Sequence, residues 1–472
     1  MNEEKTGFKP SLRLIDATML VAGSMIGSGI FIVSADIARN VGGAGWLLLV
    51  WVITGFMTLT AALSYGELSS MFPKAGGQYV YLKEAYNPLV GFVFGWTFFT
   101  VIQTATIAAV GVAFAKFTAY LIPAWDEDVV ALSLGSFNIS SAQVVSIGVI
   151  LLLTLINTRG VSSGKAVQTV ITLAKLLSLA ALIVFGFVAF KSDVWRANWL
   201  SAETWSLFRL NADGTTSNYT MLAALGAVAA AMVGSIFSSD SWHSSTAVAG
   251  EIKNPQRNVA LSLALGTILV TVVYVLANVM YTSVLTMPQM ASAEKDRVAI
   301  TAAQVIFGPV GIIIIAIMIM VSTFGCNNGL IMSGARVYYT MAKDGMFFKK
   351  VGTLNNKAVP AVALWIQCVI AALWSLSGKY GDLLDMISIV VVIFYVLAII
   401  GIFKLRKTRP DLPRPYKAFG YPVLPFLYIV MGIAFCVLMV MYKPNYTWPG
   451  IIIAALGIPV YYLIKSKKSE IK

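Results

Sequence analysis

Charged side chains are scarce in this 472-residue chain: Asp, Glu, Lys and Arg make up 12% of it, and 58% is hydrophobic. A soluble domain carries roughly a quarter charged residues, so the composition excludes a soluble globular protein. Histidine occurs once, and the three cysteines, Cys326, Cys368 and Cys436, all fall in apolar stretches. This excludes a disulfide framework and paired metal ligands. Because there is also no HExxH motif, we expect neither a membrane-embedded hydrolase or transferase nor a cofactor.

The apolar residues form runs long enough to cross a bilayer, which takes about 20 residues. Twelve such runs predict an all-α integral membrane protein with a single transmembrane domain over residues 1–472. Residues 1–12 are polar and the run behind them is long, so no cleavable signal is expected. The predicted spans are 14–38, 43–70, 89–121, 140–157, 166–190, 220–250, 259–285, 304–342, 359–377, 383–404, 422–441 and 447–465.

The net charge of +13 could suggest a nucleic acid partner. With the N-terminus placed in the cytoplasm, however, 24 of the 34 Lys and Arg fall on the cytoplasmic side, nine fall outside and one, Lys175, lies within a span. This asymmetry follows the positive-inside rule. It predicts a multi-pass protein of the cell membrane with both termini cytoplasmic and no nucleic acid partner.

Two predicted spans are interrupted by small and polar residues. The first contains GSMIGSGIF (23–31) and the sixth contains FSSDSW (237–242), about 212 positions later. The third and eighth spans, and the fifth and tenth, are separated by similar offsets, so five spans repeat. Because five is odd, the second set must be inverted relative to the first. We therefore predict a 5+5 inverted repeat, with repeat one at about 12–190, repeat two at about 220–404 and two appended spans at about 422–465.

Opening a helix in hydrocarbon exposes backbone groups that cost several kcal/mol each when unpaired. The N–H groups of Ser28, Gly29 and Ile30 would begin a half-helix, whose N-terminus favours an anion such as a carboxylate. The carbonyls at 237–239 would end another, whose C-terminus favours a cation such as an ammonium. A ligand with both groups on adjacent atoms is an α-amino acid. The alternative is that Gly23, Gly27 and Gly29 are helix-packing positions of the GxxxG type.

Side chains at the second break each allow two roles. Phe237 is placed to cover a ligand and exclude water, or it packs as an ordinary apolar residue; Trp242 is a second lid or part of the wall. Asp240 either pairs with the ammonium or a cationic side chain of the substrate, or caps the second half-helix. His243 is structural or carries a proton.

An ionisable residue inside a span is a functional hypothesis by default. Lys175 lies in TVITLAKLLSLAALIVFG (169–186), with apolar residues on both sides. We predict that its ammonium takes the place of a sodium ion and braces the first break against the eighth span, with Ser322 or Thr323 as partners. Alternatively it loses its proton during the cycle and couples transport to protons, or its chain snorkels to the membrane edge.

Three acidic residues fall near cytoplasmic ends of spans, namely Asp16, Glu67 and Glu251. They could be solvated. We favour gate or structural pairing, without naming partners.

Four stretches together carry a family pattern. They are GSMIGSGIF (23–31), YGELSSMFPKAGGQYVYLKEAYNPLVGFVFGW (65–96), W-x8-EIKNPQRN (242–258) and STFGCNNGLIMSGARVYYTMAKDG (322–345). The chain resembles the amino acid-polyamine-organocation superfamily and, within it, the L-type amino acid transporter family, from about residue 12 to residue 465.

This resemblance implies a LeuT-like fold of twelve spans and alternating-access transport of amino acids, often as sodium-independent exchange. Carried over by position, the carboxylate site falls on Ser28 and Gly29, the gating aromatic on Phe237 and the fifth-span lysine on Lys175. The amino-group carbonyls fall on Met25, Phe237, Ser238 and Asp240. The full candidate substrate site is Ser24, Met25, Ile26, Gly27, Ser28, Gly29, Ile30, Phe237, Ser238, Ser239, Asp240, Trp242 and His243.

The chain departs from the family pattern at two places. Many members have glycines where this chain has Asp240 and Ser241, which bears on side-chain selectivity. Animal members join a heavy chain through a cysteine between the third and fourth spans, but PAWDEDVVALSLGSFNISS (123–141) contains none. No disulfide-linked partner is therefore expected.

The sequence thus favours a secondary amino acid transporter, most simply a sodium-independent exchanger of neutral L-amino acids. The alternative is a proton-coupled symporter of amino acids, including cationic amino acids or polyamines. A channel fits less well, because short breaks related by inversion suit an occluded site better than a continuous pore.

Overall fold

The computed structural model describes residues 10–135, 137–211, 215–377 and 380–469, and it is mostly helical. The helices are α1 Leu14–Met25, α2 Gly29–Ile32, α3 Ser34–Val41, α4 Ala44–Met71, α5 Gln78–Ala85, α6 Pro88–Thr97, α7 Gln103–Thr118, α8 Ser141–Thr158, α9 Val161–Val188, α10 Ser192–Trp199, α11 Met221–Ser238, α12 Ser244–Ala247, α13 Pro255–Val284, α14 Met287–Ala291, α15 Val298–Phe307, α16 Pro309–Lys343, α17 Ala361–Ser377, α18 Tyr380–Thr408, α19 Val423–Tyr442 and α20 Pro444–Ser469. A π-helical turn at Phe98–Ile102 joins α6 to α7. Two antiparallel hairpins pair β1 Val130–Leu134 with β2 Phe137–Ser140 and β3 Phe208–Leu210 with β4 Thr216–Asn218.

Eleven helical stretches in the described ranges are long and apolar enough to cross a membrane. They coincide with eleven of the twelve predicted spans, so the prediction of a helical membrane protein is confirmed. The run predicted at 359–377 forms α17, an apolar helix of 17 residues, which is shorter than the others. The count of twelve therefore stays a prediction.

Some predicted boundaries are wrong. The span predicted at 304–342 is divided between α15 and α16, because Gly308 adopts φ +67° and Pro309 starts a new helix. Proline lacks an N–H and fits the first turn of a helix. The connections predicted at 191–219 and 286–303 are also not plain loops: they contain α10, the second hairpin, α14 and part of α15.

Both predicted helix breaks are present. In the first span, α1 ends at Met25 and helix resumes at Gly29, and α2 and α3 continue each other through Val33, which has helical backbone angles. In the sixth, α11 ends at Ser238, and the four-residue α12 and a 3-10 turn at Ala249–Glu251 follow. A regular long helix thus covers little more than the first half of the predicted span of 220–250. Ser241, between α11 and α12, has a positive φ of 65°.

The two breaks contact each other directly. A Cβ built on Gly29 would lie 2.6 Å from the Cβ of Ser238, which is closer than real carbon atoms approach. Glycine at position 29 therefore allows the start of α2 to pack on the last residue of α11. By contrast, Gly148 in α8 has no neighbouring atom within 4 Å of its own would-be Cβ.

We expect Gly29→Ala to lower Tm, because overpacking a close contact costs about 1–3 kcal/mol. Adding Ser238→Gly should restore part of the loss, since that change removes the side chain that the new methyl group would strike. Gly148→Ala is the control and should leave Tm unchanged or slightly raised, because alanine is the better helix former. Thermal unfolding of the purified variants measures all three, and equal Tm values for Gly29→Ala and the wild type would rule out this close packing.

Candidate functional site

The first break leaves the carbonyls of residues 23–27 without the N–H groups that a continuous α-helix would supply. Lys175 on α9 fills part of this gap. Its side chain is 1% exposed, and its ammonium donates hydrogen bonds to the carbonyls of Gly23 and Ile26, the second at 2.6 Å. The lysine therefore does not snorkel to the membrane edge; it bonds to the opened backbone.

Ser322 or Thr323, both on α16, is the predicted partner at the first break, and their hydrogen bonds differ. The hydroxyl of Ser322 donates to the carbonyl of Ile26 at 3.2 Å and to the carbonyl of Gly27 at 3.3 Å. The carbonyl of Ile26 therefore accepts from both Ser322 and Lys175. The Thr323 hydroxyl instead donates within its own helix, to the carbonyl of Ile319 at 2.8 Å. Of the two alternatives, Ser322 contacts the first break, and Thr323 bonds within α16.

The remaining two carbonyls of the first break receive donors that the sequence did not single out. The thiol of Cys326, also on α16, lies 3.0 Å from the carbonyl of Ser24. The hydroxyl of Tyr274, on α13, donates to the carbonyl of Met25 at 2.9 Å. Each of the five carbonyls at 23–27 consequently has a hydrogen-bond donor from another helix.

At the second break, some of the hydrogen bonds are made within the segment itself and to the end of α11. The N–H of Asp240 donates to the carbonyl of Phe237 at 3.1 Å, and the Ser238 hydroxyl donates to the carbonyl of Gly234 at 2.6 Å. The carbonyl of Ser238 accepts from Tyr274 at 3.0 Å. Tyr274 thus contacts the last residues of both α1 and α11.

The acidic residue in the second break belongs to a hydrogen-bond chain that is buried at Asp240 and Tyr395 and partly buried at His243. Tyr395 on α18 donates to a carboxylate oxygen of Asp240 at 2.5 Å, and its oxygen lies 2.9 Å from Nδ1 of His243. The N-cap of α12 is His243, with no side-chain cap bond. Asp240 therefore does not cap the second half-helix, and that alternative is wrong.

Aromatic rings enclose this chain. Trp242 is 2% exposed and contacts Tyr65 and Tyr395 with ring centroids 4.7 and 5.1 Å apart. Both alternatives for Trp242, lid and wall, stay predictions. Phe237, at the last turn of α11, is also buried, and its role as a lid stays a prediction.

The two ends of the bundle differ in openness. On the face that holds the N-terminal segment, Arg336 and Glu251 are each 1% exposed and form an ion pair of 2.8 Å, and the backbone of Leu12 pairs with that of Ile252. Inside this face, a cavity of about 10 Å³ lies beside Gln78 and His243. On the opposite face a cavity of 340 Å³ reaches down to Val33 and Gly234, next to the breaks.

The three acidic residues at span ends are paired, as we favoured. Glu251 bonds Arg336, and Glu67, which is fully buried, bonds Arg406 through two contacts of 2.9 and 2.6 Å. Asp16 accepts from the backbone N–H of Arg13 at 2.8 Å and so belongs to the start of α1. None of the three is simply solvated.

Sequence reasoning missed Tyr274, Tyr395 and Cys326. Each is a common residue in an apolar helix and carries no charge, so nothing marks it until the helices are packed. A weak signal existed for Tyr274: Asn278 follows one turn later on the same helix face, and polar residues at that spacing inside a span are uncommon.

Comparison with known proteins bears on this site. A family model described as "Amino acid permease" matches residues 12–463. The chain is 29% identical to the serine/threonine exchanger SteT of Bacillus subtilis (strain 168), over 100% of both chains. It is 26% identical to the human b(0,+)-type amino acid transporter 1, covering 97% of this chain and 88% of that protein.

A third relative is the human large neutral amino acids transporter small subunit 2, 28% identical over 96% of this chain and 80% of that protein. These relatives are transporters and not enzymes. Since the family model covers nearly the whole chain, including both breaks and Lys175, the protein belongs to the amino acid permease family of the amino acid-polyamine-organocation superfamily, close to its L-type transporters.

Proposed function

We propose that the protein is a secondary active transporter that exchanges neutral L-amino acids by alternating access without sodium. The observation that carries the proposal is the pair of contacting helix breaks whose first opened backbone is neutralised by a buried lysine. The names of three relatives support amino acids as substrates: an exchanger of serine and threonine, a b(0,+)-type amino acid transporter and a large neutral amino acids transporter. The first and third of these names support neutral amino acids.

The proposed architecture has twelve spans in a LeuT-like inverted repeat. Repeat one, about 12–190, would contain α1 to α9, and repeat two, about 220–404, would contain α11 to α18, with α17 as the twelfth span despite its length. The helices α19 and α20 would be the appended spans at about 422–465. The breaks support this division because each interrupts the first helix of its repeat.

The substrate headgroup would bind between the breaks. The N–H groups of Ser28, Gly29 and Ile30, in the first turn of the α2–α3 helix, would receive the carboxylate. The carbonyls of Met25 and Ser238, the last residues of α1 and α11, would receive the ammonium. The two charged groups of an α-amino acid would thus be bound by opposite ends of helices.

Lys175 would make sodium unnecessary. Opened backbone carbonyls and half-helix C-termini are the groups that coordinate sodium in transporters of this architecture. Here the ammonium of Lys175 already bonds the carbonyls of Gly23 and Ile26. The hydroxyl of Ser322 bonds the carbonyls of Ile26 and Gly27. The fixed positive charge of Lys175 therefore pairs these carbonyls in place of a bound sodium ion.

Asp240 and His243 favour one alternative function, proton-coupled symport. The hydrogen-bond chain from Asp240 through Tyr395 to His243 contains groups able to hold or pass a proton, and Lys175 is itself ionisable. In that case a cationic amino acid or a polyamine could also be accepted, with Asp240 as its counter-ion.

The structure of the two faces supports an orientation. Both termini would be cytoplasmic in the cell membrane, so the face closed by Arg336 and Glu251 would be the inner gate, and the 340 Å³ cavity would be the outer vestibule. The three cysteines lie in or beside apolar helices and are unpaired. We propose that no heavy chain is attached through a disulfide.

Exchange can be tested with purified protein in liposomes. Loading the vesicles with unlabelled serine or leucine should accelerate uptake of the labelled amino acid several-fold when no ion gradient is present. The reason is that the binding site of an exchanger turns back to the outside only when it carries a substrate from the inside. The measurement is initial uptake from sodium-free medium, with empty vesicles as the control. If loading has no effect and an imposed proton gradient drives uptake, the symport alternative is correct.

Replacing the lysine tests its role. Lys175→Ala should reduce exchange at least tenfold while the protein still reaches the membrane and elutes as a single species. The reason is that the carbonyl of Gly23 loses its donor and that of Ile26 keeps only Ser322. Lys191→Ala is the matched control, since Lys191 follows the same helix at its exposed end. Wild-type rates in Lys175→Ala would show that the charge is dispensable.

A further inference from the structure

A small polar cavity lies between the second break and the proposed inner gate. Its volume is about 10 Å³, and the side chains that line it include Gln78, Gln103, His243, Ser244, Thr246 and Ser333. A buried water needs roughly 10–15 Å³ and two to four polar partners. The cavity is therefore at the lower limit for one water molecule and too small for a larger ligand.

One lining residue has a donor without an acceptor. Gln78 begins α5 and is 3% exposed, and its amide nitrogen has no hydrogen-bond partner within the described part of the chain. The segment before it is held at the second break, because the N–H of Gly76 donates to the carbonyl of Ala247 at 3.2 Å. An unpaired buried donor is costly, so an acceptor is expected in this cavity.

The opposite need exists at His243. Tyr395 donates its one O–H to the carboxylate of Asp240, and an ionised carboxylate can only accept. The contact of 2.9 Å between the Tyr395 oxygen and Nδ1 of His243 then has Nδ1–H as its donor. In a neutral imidazole with its proton on Nδ1, Nε2 is an acceptor, and among the described residues the side chain of His243 hydrogen-bonds only Tyr395.

The hydroxyls of the cavity do not supply the donor that Nε2 lacks. Each already gives its one hydrogen to a backbone carbonyl, over 2.5, 2.7 and 3.2 Å in the order Ser244, Thr246 and Ser333. Their oxygen atoms can still accept. The cavity thus has a donor at Gln78, an acceptor at His243 and further acceptors at the hydroxyls.

We propose that the cavity binds one water molecule, which accepts a hydrogen bond from the amide of Gln78 and donates one to Nε2 of His243. Only a molecule that both accepts and donates meets the two needs. A metal cation would be repelled by the N–H of Gln78, and a chloride ion has no hydrogen to give to Nε2. Water is the smallest ligand with both properties.

The water completes a hydrogen-bond chain from Gln78 through His243 and Tyr395 to Asp240. Every donor in this chain points toward the carboxylate, so Asp240 is its terminal acceptor and His243 is held as the Nδ1–H tautomer. Gln78 lies in the segment after α4, and Asp240 lies in the second break. The water therefore joins the proposed inner gate to the second break, and this inference goes beyond the proposed function because it holds whichever solute is carried.

The single histidine of the chain allows a direct test. Full-length protein made with ¹⁵N-labelled histidine and purified by a histidine-free tag gives ring-nitrogen signals from His243 alone. At a pH of about 8, where an unperturbed histidine is neutral, the wild type in detergent should show a protonated Nδ1 and a hydrogen-bonded Nε2 without a proton. A protonated Nε2 beside a bare Nδ1, or an Nε2 without a hydrogen bond, would overturn the inference.

Two glutamine variants identify the partner of the water. Gln78→Met keeps the length of the side chain but removes the amide, so the Nε2 signal should shift toward that of a nitrogen without a hydrogen bond. Gln367→Met is the matched control, since Gln367 is also buried and donates to the carbonyl of Ile331 at 3.2 Å but does not line the cavity. Its signal should match the wild type, and an equally unchanged signal in Gln78→Met would contradict the proposed site.

A cryo-EM map of the wild type, at a resolution that shows ordered waters, does not depend on the folding of any variant. A peak is expected within about 3.2 Å of both the Gln78 amide nitrogen and Nε2 of His243. Direct contact of these two atoms, with no peak between them, would refute the water site. Neither the map nor the spectra need a substrate or a gradient, so a failure of exchange in liposomes would remove the proposed function and leave this result standing.

Discussion

A broken helix in a low dielectric must find partners for the backbone groups that it frees, and the rest of this site follows from that requirement. The five carbonyls at 23–27 are bonded by side chains from three other helices: Lys175 on α9, Ser322 and Cys326 on α16, and Tyr274 on α13. Because an unpaired carbonyl in such surroundings costs several kcal/mol, these helices are held around the first break.

The same requirement explains why the breaks could be predicted from the sequence and their partners could not. Glycine, serine and a lone lysine stand out in an apolar run, so GSMIGSGIF, FSSDSW and Lys175 were identified by residue type alone. Tyr274, Tyr395 and Cys326 carry no charge, and only three-dimensional packing directs their polar atoms to the breaks. The division of the predicted eighth span into α15 and α16 at Gly308 was missed for a different reason. Apolar residues continue across this position, and only the positive φ of Gly308 interrupts the helix.

Thr323 illustrates a limit of reasoning from residue type. Ser322 and Thr323 are adjacent hydroxyl residues on one helix, and neighbouring positions of a helix point about 100° apart. Only one can face the break. Ser322 does, and the hydroxyl of Thr323 bonds back to its own helix, which is the common fate of threonine inside an apolar helix.

The charges at the two breaks bear on the class of substrate. Lys175 bonds the first break and Asp240 lies in the second, and both side chains are buried. In their ionised forms the two charges cancel, so the site as a whole is neutral. A zwitterion adds no net charge to this pair, whereas a cationic amino acid would leave one positive charge uncompensated in a low dielectric, where charge is costly to bury. The charge of Asp240 could compensate it, but that of Lys175 would then be left without a counter-charge in this pair. Charge balance therefore favours neutral over cationic amino acids, in keeping with exchange of one zwitterion for another.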